Sequence, residues 1–132
     1  MIRRPKTLHE LAEESLTYED FGMNMRDFLH EFAFAKKNSQ LLSRMLEVEP
    51  PRMAGRLPEG KICDAFLAAT ADYLSRENHL DTPRWARKDD FMLEEPWFSP
   101  ETIGVRALLL RDTPSAFKDK NIFIFPNALN VA

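Results

Sequence analysis

The sequence predicts a mainly α fold, a compact bundle of five to seven helices with a minor β element near the C-terminus. Two long stretches, about 18–37 and 60–77, carry apolar residues at helical spacing. Helix-start signals recur before, between and after them. One short run, Ile122-Phe123-Ile124-Phe125, has the aromatic and β-branched content of a strand.

Thr7-Leu8-His9-Glu10 fits a capping box, in which the Thr7 hydroxyl serves the helix start and Glu10 reaches back. Leu8, Leu11 and Ala12, joined by Leu16, then give one apolar side to a short helix over about 8–15. Thr17 with Glu19 and Asp20 repeats the signal, acidic residues being favoured in a first turn. Phe21, Met25, Phe28, Leu29 and Phe32 form the stripe of the helix over 18–37. Phe34 lies off that stripe and predicts a second buried face. Ser39 reads as the next cap, followed by Leu41, Leu42, Met45 and Leu46.

Pro50-Pro51 ends that helix, because proline lacks an amide donor and restricts its predecessor. The segment 50–59 reads as an ordered loop between an N-terminal part, 1–49, and a C-terminal part, 60–132, of a single domain. Met53 and Leu57 are its docking residues. The helix over 60–77 is apolar on two faces. Ile62, Ala65, Phe66, Ala69 and Tyr73 lie on one; Cys63, Leu67, Thr70 and Leu74 lie on the other. Such a helix belongs at the centre of its domain. Cys63, Phe66 and Tyr73 are therefore assigned structural roles.

Asp81 or Thr82 caps a further short turn through Pro83, Arg84, Trp85 and Ala86. Pro96-Trp97-Phe98-Ser99-Pro100 is bracketed by prolines and excludes a long element. The rings of Trp97 and Phe98 cannot both point one way, so one closes the core and the other is offered to a partner. Segment 103–110 suits a helix or a buried strand; its leucines, with Ser99 or Thr102 as cap, favour the helix. Arg106, inside that apolar run, is expected to pair with a carboxylate if buried. Thr113-Pro114 opens another short helix. A strand at 122–125 lacks a partner unless 105–110 supplies one.

Composition narrows the function classes. The 132 residues are 44% hydrophobic and 30% charged, the balance of an ordinary globular chain. Lys and Arg number 18 against 21 Asp and Glu, with the signs mixed throughout, so no basic arm stands out. The one cysteine excludes an internal disulfide and a four-cysteine zinc site. No apolar run approaches the roughly 18 residues of a membrane span, and the N-terminus lacks the apolar core of a signal peptide. A cytoplasmic protein is expected.

The second half carries an ordered series: Tyr73-Leu74, Pro83-x-Trp85, Leu93, Pro96-Trp97-Phe98, Arg106-Ala107-Leu108, Thr113-Pro114-x-x-Phe117 and Asn121-Ile122-Phe123. Over about residues 60–132 it resembles an uncharacterised bacterial module. Modules of that kind resemble the regions that follow helix-turn-helix domains in regulators and antitoxin-like proteins, and they also occur as stand-alone small proteins. The resemblance implies a regulatory, partner-binding role in a toxin–antitoxin-like or defence-related gene pair. Residues 1–50 show no helix-turn-helix signature, so DNA binding is not carried over.

Chemistry-bearing motifs are sparse. His9-Glu10 and His30-Glu31 each lack a second histidine four residues on, and His79 stands apart, so no metal site is expected. Nucleophile elbows and glycine-rich phosphate loops are absent, and no cofactor is implied. The leading expectation is a nonenzymatic module that binds a protein partner through Trp85, Trp97, Phe98, Phe117, Lys118, Lys120 and Asn121. A homodimer would also cover excess aromatic surface. Two alternatives stand beside it. One is a nucleic-acid binder using Arg84, Arg87, Lys88, Arg106, Arg111, Lys118 and Lys120 with the aromatics. The other, the weaker class, is an enzyme built on Asp89, Asp90, Glu94 and Glu95.

Overall fold

The computed structural model describes residues 4–99 and 104–129. Among them are six α-helices and one small parallel sheet, a mainly α architecture. None of the helices is long and apolar enough to cross a membrane.

Helix α1 (Leu8–Glu14) starts where the Thr7 hydroxyl accepts the Glu10 amide at 3.0 Å. Leu8, Leu11 and Ala12 are fully buried, whereas Leu16, beyond the helix end at Glu14, is 74% exposed and does not join them. Arg56, reaching from the 50–59 loop, donates to the carbonyls of Ala12 and Ser15 at 3.1 and 2.9 Å. A guanidinium at a helix C-terminus both fills unpaired carbonyls and opposes the helix dipole. Helix α2 (Tyr18–Phe34) opens with a complete capping box between Thr17 and Asp20. Its stripe of Phe21, Met25, Phe28, Leu29 and Phe32 is buried. Phe34 departs from expectation: it is 80% exposed, and the helix ends there, not at 37. The next cap is Asn38, whose side chain accepts from the Leu41 amide at 3.2 Å, and not Ser39, which is the first residue of α3 (Ser39–Glu47).

The 50–59 loop is ordered by α4 (Gly60–Glu77). Asp64, almost completely buried, accepts the amides of Met53 and Ala54 at 2.7 and 3.0 Å. Met53 and Leu57 are buried with it. At Gly60 a Cβ would overlap the Met53 carbonyl, so the loop can close on the helix start only over a glycine.

Helix α4 is the axis of the fold. Cys63, Leu67, Ala68, Ala71 and Leu74 join a core with α1, α2, α3, Trp85 and Phe91. Ala65 and Ala69 turn the opposite way, into a second cluster with Phe117, Ile122, Ile124 and Leu129. Phe66 and Tyr73 pack against both. The two faces read from the spacing are thus two separate packing surfaces. The helix ends in a paired turn: His79 adopts φ 56°, its amide meets the Arg76 carbonyl, and the Leu80 amide bonds the Ser75 carbonyl at 2.8 Å. Asp72 receives a two-pronged bond from Arg76 and a third from Thr82, which holds the chain after the turn.

Two 3-10 turns, Arg84–Arg87 and Asp89–Phe91, lead to β1 (Trp97–Phe98). Segment 106–112 is helical, α5 (Arg106–Asp112); its start at Val105 lacks a side-chain cap, so Ser99 does not serve there, and Thr102 lies outside the described residues. The strand partner is therefore not 105–110. Instead β2 (Ile122–Phe123) pairs in parallel with β1, Trp97 opposite Ile122 and Phe98 opposite Phe123. Helix α6 (Ser115–Lys118) precedes β2, and its Phe117 is fully buried. Thr113 gives and takes hydrogen bonds with the backbone of Ile124, at 2.8 and 3.2 Å, and so ties the end of α5 to the tail.

Candidate functional site

Four elements enclose an apolar groove of about 350 Å³. Tyr18, Phe21, Met25 and Leu29 form the α2 wall, since residues three and four apart share one helix face. Gly22 lies between them and leaves open space where a side chain would stand. Ile62 and Phe66 form the α4 wall, and the Phe21 and Phe66 rings meet edge to face at 6.0 Å. Trp97 of β1 and Ala128 of the C-terminal 3-10 turn close the far side. Arg26 is the one cationic residue on the lining, and it is exposed.

Strand β1 splits its two rings. Successive strand residues point to opposite faces. Trp97 packs towards the second core cluster and the groove. Phe98 stacks on Phe123 at 4.8 Å, with the Arg106 guanidinium 4.7 Å from its ring centre. Arg106 is exposed and lies over an aromatic face, so its burial and carboxylate pairing do not arise. Asn121 positions the strand. It adopts φ 63°, its side-chain amide donates to the Leu93 carbonyl at 2.7 Å, and its own carbonyl accepts the Trp97 amide at 2.8 Å.

Three residues that the sequence assigns to a contact surface are interior. Trp85 is 4% exposed, because its indole N–H finds the Leu46 carbonyl at 2.9 Å and its ring packs on Phe91. Phe117 is wedged between Phe66 and Tyr73, at 5.2 and 6.0 Å. Lys120 is 5% exposed; burial lowers its pKa, while Asp72, Asp119 and Asp89 act against that shift. Lys118 is half-buried and donates to the Arg111 carbonyl at the end of α5. Trp97, Phe98 and Asn121 remain half-buried. Of the proposed contact residues, the fold brings only Trp97 into the groove.

The other constellations disperse or are engaged. Asp89, Asp90 and Glu94 line a separate cleft of about 400 Å³ with Asp64, Lys61 and Arg52, while Glu95 is exposed and outside the lining. Arg52 bonds Asp90 at 2.7 Å and Glu49 at 3.0 Å and lies 3.8 Å from the Phe91 ring centre. The Arg52 hydrogen bond holds Asp90 below the usual carboxylate range, and Lys88 does the same for Glu49. Burial pushes Asp64 up, yet both of its oxygens are spent on backbone amides. Such carboxylates serve as latches. Among the cations considered for nucleic acid, Lys88 bonds Glu49 at 2.7 Å and Arg111 bonds Asp112 at 2.7 Å. Cys63 is fully buried, and desolvation pushes its thiol to about 12, far from a reactive thiolate. Among the described residues no three His, Cys, Asp or Glu side chains converge on a metal position.

Sequence reasoning missed the α2 and α4 walls of the groove. Its signal, an apolar stripe, reads as core. A stripe of that kind marks burial and does not distinguish a closed interface from one left open on one side. No protein-family model matches the chain, and no curated protein or solved structure is similar to it.

Proposed function

We propose that the chain is a nonenzymatic module that binds a protein partner in the groove between α2, α4 and β1. The observation that carries this reading is the groove itself: about 350 Å³ of apolar, aromatic-rich lining gathered from four elements. Clefts lined by apolar and aromatic side chains with one or two placed polar groups are the default binding sites of small domains. Aromatic anchors in such pockets contribute a disproportionate share of binding energy. The 400 Å³ cleft is slightly larger, but its Arg52 and Asp90 are committed to an ion pair and its Asp64 to a latch. The resemblance of residues 60–132 to modules of regulators and antitoxin-like proteins supports a regulatory setting, with the partner encoded nearby.

The test is affinity purification of the tagged protein from its host, with the Trp97→Ala variant in parallel. A stoichiometric protein is expected with the wild type, retained in high salt and lost with the variant. The melting temperature of the variant is expected to fall far less than that of Trp85→Ala, whose buried ring costs about 3–5 kcal/mol to remove. Equal losses of binding and stability in Trp97→Ala would mark Trp97 as core and defeat the reading. Nuclease-sensitive nucleic acid as the sole companion would replace it with the nucleic-acid alternative.

A further inference from the structure

We infer that the outer face of α2 joins a second copy of the chain in an antiparallel, two-fold pair, with Met23 of each copy against Phe34 of the other. This face is separate from the groove, and the inference does not rest on the groove reading.

The core takes Phe21, Met25, Phe28, Leu29 and Phe32 of α2. The opposite side carries Met23, Asp27, His30 and Phe34, at spacings of four, three and four. That alternation sets all four in one narrow line along the helix, and it is the seam spacing of a coiled coil. The two ends of the line are apolar and in the open: Met23 is 60% exposed, and Phe34 more so. Phe34 also borders a shallow hollow of about 220 Å³ with Ala35, Leu41 and Met45.

The middle of the line identifies the occupant. Asp27 and His30 are half-buried and pair with no described residue. A purely apolar partner would strip water from both and return nothing. A second copy laid antiparallel satisfies both. A two-fold axis level with positions 28 and 29 sets Asp27 of each copy against His30 of the other. The same register sets each Met23 against the other copy's Phe34. The ends of the helix agree. Glu19 and Asp20 stand in its first turn, and Lys36 and Lys37 follow its last. Each acidic end therefore meets a basic end, and the two helix dipoles run opposed. A parallel pair would set Asp27 against Asp27 and one acidic end against the other.

One helix face is small beside the roughly 800 Å² per partner of a standard interface, so the dimer is expected to dissociate in the micromolar range. Sedimentation equilibrium of the full chain, up to about 0.5 mM, is expected to show that monomer–dimer equilibrium. Phe34→Ser is expected to raise the dissociation constant at least about tenfold, since each dimer loses two anchoring rings. The melting temperature of its monomer is expected to stay close to that of the wild type, the ring being exposed there. Register is read by oxidising cysteine variants. Met23→Cys and Phe34→Cys chains, mixed, are expected to cross-link to each other. Neither variant alone is expected to do so, because the two copies of position 23 stand roughly 16 Å apart along the axis. Cys63 is buried and does not compete. A chain that stays monomeric throughout, a dimer indifferent to Phe34→Ser, or failure of the mixed cross-link to form would each overturn the inference. The groove reading would stand in every case.

Discussion

Glycine is used in opposite ways at two positions, and the contrast can be measured. At Gly60 the chain passes so close to Met53 that any side chain must displace backbone. At Gly22, in the second turn of α2, a Cβ would meet nothing within 4 Å. Gly60→Ala is expected to destabilise the fold by about 1–3 kcal/mol, the cost of overpacking where the neighbour cannot yield. Gly22→Ala is expected to stabilise it by up to about 1 kcal/mol, since alanine loses less entropy in a helix. Urea denaturation of both variants checks the pair. Sequence alone cannot separate the two glycines, because the difference lies in an approach from seven residues upstream. Trp85 and Trp97 pose the same difficulty. Each lies near a proline. Only the fold shows that one indole has the Leu46 carbonyl to bond and the other faces a groove.

The elements hold one another through charged latches as well as apolar contact. Glu49, Arg52, Lys88 and Asp90 join the end of α3, the 50–59 loop and the turns before β1. Asp90 and Glu49 have folded pKa values below their ordinary values of 3.8 and 4.5. Between folded and unfolded values the unfolded chain holds more protons, so stability rises with pH there. Their contribution is complete above the unfolded values and is lost as pH falls through the folded ones. Asp64 opposes this: its pKa is raised by burial, so its ionisation lowers stability as pH rises from the ordinary value to the folded one. Asp90→Asn is expected to cost at most about 1 kcal/mol at neutral pH, because the pair is solvent-screened, and progressively less as pH falls through the folded value. Thermal melts across that range measure it. Much of this level was legible. The caps at Thr7 and Thr17, the two faces of α4 and the docking of Met53 and Leu57 follow from local chemistry and the helical period. Strand β2 was legible in its aromatic and β-branched run, but its partner was not, since a strand of two residues has no period. Parallel pairing of Trp97–Phe98 with Ile122–Phe123 is also set by distant contacts.

At the scale of the molecule, α4 separates two packing surfaces, and the groove forms where the second meets α2. The larger core is closed by α1, α3 and the Trp85 turn. The smaller is assembled from Phe117, Ile122, Ile124 and Leu129, which reach α4 only because Thr113 and Asn121 fix the tail. The aromatic residues of the second half are thus mostly scaffold, and the surface they support is shared with α2, far away in sequence. That division explains why the partner-binding residues were only partly legible. The measurement that tests the groove most directly is site-specific photo-crosslinking in the host, with a benzoylphenylalanine placed at Tyr18, on the groove lining, and at Leu110, an exposed residue of α5 outside the lining. The account expects one discrete, light-dependent adduct with a second protein from position 18 and none from position 110. An adduct from position 110 alone, or from neither, would contradict it.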